Sequence, residues 1–218
     1  MKMLKVVVLG VLVLAIAVPL AGAQVGTWDS SISIINLGGA SATVEVTFFD
    51  AIGASPTVTC LRGTPGPSCQ LTNPFSLAAG AKEEIYLPAV SQLPNGRYSA
   101  VVSADQPIAA IGAMTGVDVN KYFTGGYTGE GAGATSMYLP GIQWNFYAWD
   151  SHLSIQNLTG SPQDITVQFY TEGTNTVCNT QGPHSTPAYS SWHLDTGALS
   201  LSACDTGTDG FNLSLIHI

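Results

Sequence analysis

Few residues of this chain could do chemistry: four cysteines, four histidines, one short acidic loop and a small set of tryptophans. Cys60 and Cys69 bracket the Gly/Pro-rich run Leu61-Arg62-Gly63-Thr64-Pro65-Gly66-Pro67-Ser68, and Cys178 and Cys204 bracket a longer stretch. Thiols bind zinc at CxxC-type spacing, commonly with histidine partners. Neither pair has that spacing or a suitably placed histidine. The even count therefore reads as two disulfides, Cys60–Cys69 and Cys178–Cys204, each closed within its own half of the chain. Loop closure makes each worth roughly 2.5–3.5 kcal/mol.

Nucleophilic catalysis needs a base within hydrogen-bond reach of the nucleophile. The chain has many serines but no Gly-x-Ser-x-Gly elbow. His152 falls on the outward side of an alternating run, and spacing alone gives His184 and His193 no partner. The expectation is a non-enzymatic protein without a cofactor. Asp205-Thr206-Gly207-Thr208-Asp209-Gly210 has part of a calcium-loop pattern, but glycine replaces its middle acid and the distal glutamate is missing. A polar turn is the expected reading, with Asp205 and Asp209 as the metal candidates. Trp28 and Trp149, together with Trp144 and Tyr147, are the candidate ligand-binding residues, because exposed flat rings stack on sugar faces. The competing expectation is that the repeated tryptophan plugs the open end of a sandwich.

A repeat shows which elements must carry these residues. Trp28-Asp29-Ser30-Ser31-Ile32-Ser33-Ile34-Ile35-Asn36-Leu37-Gly38-Gly39 matches Trp149-Asp150-Ser151-His152-Leu153-Ser154-Ile155-Gln156-Asn157-Leu158-Thr159-Gly160 without a gap, at an offset of 121 residues. The match continues from Val44–Phe49 to Ile165–Tyr170 at the same offset. That spacing is domain-sized and reads as a tandem duplication. In each copy apolar residues alternate: Ile32 and Ile34, then Val44, Val46 and Phe48; Leu153 and Ile155, then Ile165, Val167 and Phe169. Period two with β-branched and aromatic residues predicts strands. Further strands are expected near Thr57–Cys60, Glu84–Leu87, Tyr98–Ser103, Ile108–Met114 and Ser136–Leu139. The fold class is all-β, as tandem β-sandwich repeats of immunoglobulin-like architecture. Residues 24–140 form the expected first repeat, with a Gly-rich loop at 115–135. Residues 141–212 form a second, incomplete one.

The start of the chain sets the compartment. Lys2 and Lys5, the apolar run Val6–Val18 and the small residues Ala21-Gly22-Ala23 have the order of a secretory signal, so residues 1–23 are expected to be removed. The run is short for a membrane span, which takes about 20 residues. Beyond Ala23 the chain keeps Arg62, Lys82, Arg97 and Lys121 against 14 acids, a net charge of −10. Such a surface repels nucleic acid, and no polybasic patch is offered to anionic lipid. The expected place is outside the cell, secreted or at its surface, with no membrane span once the signal is gone.

Leu93-Pro94-Asn95-Gly96-Arg97-Tyr98, Ser99 through Ala110, Tyr138-Leu139-Pro140 and Trp149 through Leu158 together resemble tandem β-sandwich repeats of secreted or surface-attached bacterial proteins. The resemblance implies an envelope role as spacer or adhesion module and brings no active site. The expected function is thus a structural or adhesive surface protein whose partners are cell-surface proteins or polysaccharide. A carbohydrate-binding module, belonging to a larger secreted enzyme, is the alternative. Finally, the second copy stops where the first continues, and Leu213-Ser214-Leu215-Ile216-His217-Ile218 resembles the translation of a transposon-end adapter. A fragment with a non-native tail at 213–218 is expected.

Overall fold

Alternation becomes burial. In the computed structural model Ile32, Ile34, Val44, Val46 and Phe48 are all at most 1% exposed, while Ile35 between them is 37% exposed. The structure describes residues 12–15, 26–118, 121–129, 134–137, 142–144, 150–171, 174, 176–204, 211–213 and 216–217. They divide into two units, one up to Ala132 and one from Gly133.

Among the described residues the first unit has ten strands: β1 Leu12–Ala15, β2 Gly26–Asn36, β3 Ala42–Asp50, β4 Cys60–Gly63, β5 Cys69–Thr72, β6 Phe75–Leu77, β7 Lys82–Tyr86, β8 Arg97–Ala104, β9 Ile108–Asp118 and β10 Lys121–Thr128. Two antiparallel sheets, β1-β8-β3-β6 and β10-β9-β2-β7, supply one shared core, with β4-β5 as a separate hairpin. Strand β1 comes from the segment read as a secretory signal and pairs with Arg97–Ala100. Tyr98 opens β8 with its hydroxyl donating to Pro94 O at 2.9 Å, the tyrosine-corner arrangement of sandwich folds. Gly96 permits it, since a Cβ there would lie 3.2 Å from the Tyr98 ring.

One expectation needs correction. The Gly-rich segment 115–135, expected as a loop, contains the end of β9 and all of β10. Glycine is a poor strand former in isolation. Here Gly116 pairs with Trp28 on one side and Phe123 on the other, and Gly112 with Ile32 and Tyr127. Ladder pairing on both sides holds these glycines extended despite that propensity. Strands β2 and β3 lie in different sheets, and β2 sits between β9 and β7. The strand expected at Thr57–Cys60 runs Cys60–Gly63, while of Ser136–Leu139 the residues Ser136–Met137 are strand and the other two lie outside the described residues.

The second unit has β11 Ser136–Met137, β12 Ile142–Trp144, β13 His152–Gln156, β14 Gln163–Tyr170, β15 Val177–Thr186, β16 Ser191–Asp195, β17 Phe211–Leu213 and β18 Ile216–His217. Its sheets are β11-β18-β14-β15, β12-β17 and β13-β16. The tail segment 213–218 thus supplies β18 and the last residue of β17. The core is built from Ile142, Leu153, Ile155, Ile165, Val167, Phe169, Leu194 and Leu201. Two of its ladders hold repeat-equivalent residues in pairs like those of the first unit. Leu153 opposes Leu194 as Ile32 opposes Ile85. Ile165 opposes His184 as Val44 opposes Phe75. A 3-10 turn comes next in each, Leu87–Ala89 and Thr196–Ala198. At Gly182, with φ of +100°, a Cβ would meet Ile165 O at 2.5 Å, so the irregular stretch of the β14–β15 ladder requires glycine.

Both expected disulfides are present, Cys60–Cys69 and Cys178–Cys204. They hold different things. Cys60–Cys69 closes the β4-β5 hairpin, while Cys178–Cys204 fastens the chain after the second 3-10 turn to β15. In the first unit Gln92 does that second job, its Oε1 accepting from Thr59 N and Cys60 N at 2.9 Å each. With sequence separations of 26 and 9 residues, loop closure assigns about 3.5 kcal/mol to Cys178–Cys204 and about 2.7 kcal/mol to Cys60–Cys69. Cys178→Ala/Cys204→Ala is therefore expected to lower the urea midpoint of the second unit more than Cys60→Ala/Cys69→Ala lowers that of the first. Equal or reversed shifts would refute the assignment.

Candidate functional site

Functional side chains on a sheet protein are those the ladder turns away from the core. In the second unit the outward row of β13 and β16 consists of three cross-strand pairs, His152 with Asp195, Ser154 with His193 and Gln156 with Ser191. Leu153, Ile155 and Leu194 alternate with them and are buried. The short β13–β16 ladder brings residues 39 positions apart into contact: Ser154 Oγ and His193 Nδ1 share a hydrogen bond. No motif spacing in the sequence announces this pairing. His152 Nδ1 lies 3.9 Å from Asp195 Oδ2. Gln156 Nε2 donates to Tyr189 O at 3.0 Å, while Gln156 Oε1 and Ser191 Oγ are buried and find no hydrogen-bond partner among the described residues. His184 stacks on Trp192, ring centroids 4.7 Å apart.

A serine beside a histidine is the first half of a nucleophilic site. The second half is an acid that orients the base and donors aimed at a developing oxyanion. Asp195 is committed elsewhere, facing His152 and accepting from Gly197 N at 3.0 Å as the cap of the 3-10 turn. The side chains that flank Ser154 on its own strand, His152 and Gln156, are engaged with Asp195 and Tyr189 O. The arrangement cross-links two strands.

The equivalent row of the first unit is Ser31 with Tyr86, Ser33 with Glu84 and Ile35 with Lys82. Tyr86 is 48% exposed. Its hydroxyl donates to the Asp29 carboxylate, and that hydrogen bond, more than slight burial or the Asp29 charge, raises the phenol pKa above its usual value. Lys82 Nζ and Glu84 Oε2 stand 4.0 Å apart beside it.

The tryptophans read as binding candidates are distributed differently. Trp144 is half-buried, packs against the second core and donates from Nε1 to Leu199 O at 3.2 Å, so its ring serves the fold. Residue 28 pairs with Gly116 in the β2–β9 ladder. Trp149, Tyr147, Asp205 and Asp209 lie outside the described residues. Among the described residues no three His, Cys, Asp or Glu side chains come together to hold a metal ion, and no helix is long and apolar enough to cross a membrane.

No protein-family model matches the chain, and no curated protein does. A crystal structure of Thermotoga maritima 1070 is similar over 49% of this chain and 81% of that one, at 16% identity and a TM-score of 0.35. A likeness that loose carries no argument about fold or function.

Proposed function

We propose that this chain is a non-catalytic exported protein of structural or adhesive type, secreted or held at a cell surface and built from two duplicated β-sandwich units. What the units have in common supports the reading. Asn36 and Asn157 match in the repeat and make the same set of loop-holding bonds, to Ala40 O and Leu77 O in one unit and to Ser161 O and Thr186 O in the other. The outward rows, by contrast, match only at Ser33 and Ser154. Duplication has kept the scaffold and varied the surface, as expected of modules selected for presentation and not for one reaction. Two disulfides and no free cysteine suit an oxidising compartment.

The test uses a fluorophosphonate probe, which labels serines activated by a neighbouring base. Ser154 is expected to stay unlabelled at probe concentrations that saturate a serine hydrolase. Stoichiometric labelling abolished by His193→Ala would overturn the non-catalytic reading. Fractionation of the producing cells should find the protein outside the cytoplasm with both disulfides formed.

A further inference from the structure

The outward face of the β10-β9-β2-β7 sheet leaves large side chains in solvent. Ile35, Tyr86 and Ile111 are 37%, 48% and 51% exposed. Between Tyr86 on β7 and Ile111 on β9 runs a strip of small residues on β2: Ser31 opposes both Tyr86 and Ala113, and Ser33 opposes Ile111. We propose that this face docks a neutral polysaccharide, with the Tyr86 ring as the stacking surface and the Asp29 carboxylate as acceptor for a sugar hydroxyl. The proposal deepens the adhesive reading and rests on it.

Three observations carry it. First, the ring does not serve the core: Tyr86 belongs to no buried cluster, and the same ladder position in the second unit holds Asp195 without loss of the strand pair. Packing demands no tyrosine there. Second, the geometry suits an extended chain. Strand spacing and rise put Tyr86 and Ile111 about 12 Å apart across the sheet, roughly the reach of a disaccharide, with only small side chains in between. Third, charge selects the class of glycan. Asp29 and Glu84 lie on this face of a chain whose net charge is −8, and Lys82 is already paired with Glu84. A polyanionic chain would be repelled, while a neutral one meets a ring, hydroxyls and one hydrogen-bond acceptor.

Native affinity electrophoresis of the whole exported protein provides the test, with hydroxyethylcellulose, glucomannan, xylan and dextran as neutral probes and carboxymethylcellulose as the charged control. At least one neutral polymer should retard the protein, and carboxymethylcellulose should do so less than hydroxyethylcellulose. Tyr86→Ala should weaken that retardation tenfold or more, Tyr86→Phe should keep most of it, and Asp29→Asn should fall between them, all with wild-type circular dichroism. The proposal is overturned if no neutral polymer retards the protein, or if Tyr86→Ala behaves as wild type. It is equally overturned if the variant instead dissociates an oligomer in sedimentation, which would make the face a contact between copies. Release of reducing ends in the same incubations would sink the non-catalytic reading and leave the binding face standing.

Discussion

Phe169→Ala is expected to unfold the second unit while the first stays folded, at a cost of about 3–5 kcal/mol from lost burial and the cavity left behind. Phe169 is 2% exposed in a core with nine buried residues among those described. Phe48, its match in the repeat, is 1% exposed in a core with 19 among those described. The chemical loss is the same in both, but the smaller described core has less stability to lose, since single domains hold only about 5–15 kcal/mol in total. Hydrogen exchange on the intact protein separates the two. In Phe169→Ala the amides of Leu153–Tyr170 should exchange fast while those of Ile32–Asp50 remain protected. Phe48→Ala should loosen Ile32–Asp50 but leave it measurably protected. Equal loss of protection in the two variants would contradict the difference in core size.

Asn36→Ala and Asn157→Ala should each cost about 2–4 kcal/mol, far more than a surface asparagine would. Both side chains are buried, at 0% and 4% exposure. Asn36 donates to Ala40 O and Leu77 O at 2.8 and 2.9 Å and accepts from Gly38 N at 2.8 Å. Asn157 donates to Ser161 O, Thr186 O and Pro187 O at 2.8–3.0 Å and accepts from Thr159 N at 2.9 Å. Truncation takes the amide donor away from Leu77 O and Thr186 O, which accept it in buried contacts. Asn36→Asp is the sharper variant, because it keeps the shape and removes the donors. Its carboxylate would face carbonyl oxygens, which raises the folded-state pKa above the unfolded one. The linkage then runs one way: the penalty is present at neutral pH and shrinks as pH falls through the raised pKa, where the protonated group donates again. Stability of Asn36→Asp should therefore rise relative to wild type on acidification, as read from urea midpoints between neutral and mildly acid pH. A penalty independent of pH would mean that the side chain fills space without bonding.

Asn36 also shows where reading the sequence stops. The repeat alone pairs it with Asn157, and its place in an alternating run puts it on the buried face. What it does there depends on Leu77 O, 41 residues away, which no local pattern reveals. The β9–β10 hairpin is hidden for a related reason. Glycines at 112, 116, 125 and 126 look like loop when neighbours in sequence are counted, and become strand when neighbours across the ladder are. Ser154 and His193 meet through the same kind of non-local register.

Sequence by itself determined what depends on near neighbours or on comparing the chain with itself. Period-two alternation from Ile32 to Phe48 and from Leu153 to Phe169 dictates strands and the face they bury. The matched halves and the even cysteine count dictate which thiols pair. Tertiary structure decided everything set by register between distant strands. It placed β2 between β7 and β9, turned Trp144 toward Leu199, gave Asp195 to His152 and Gly197, and left Tyr86 standing in solvent. The reason is physical: a side chain's period along a strand is a local property, but its cross-strand partner is chosen by the packing of the whole sheet, and a shift of one residue would move every one of these groups to the other face.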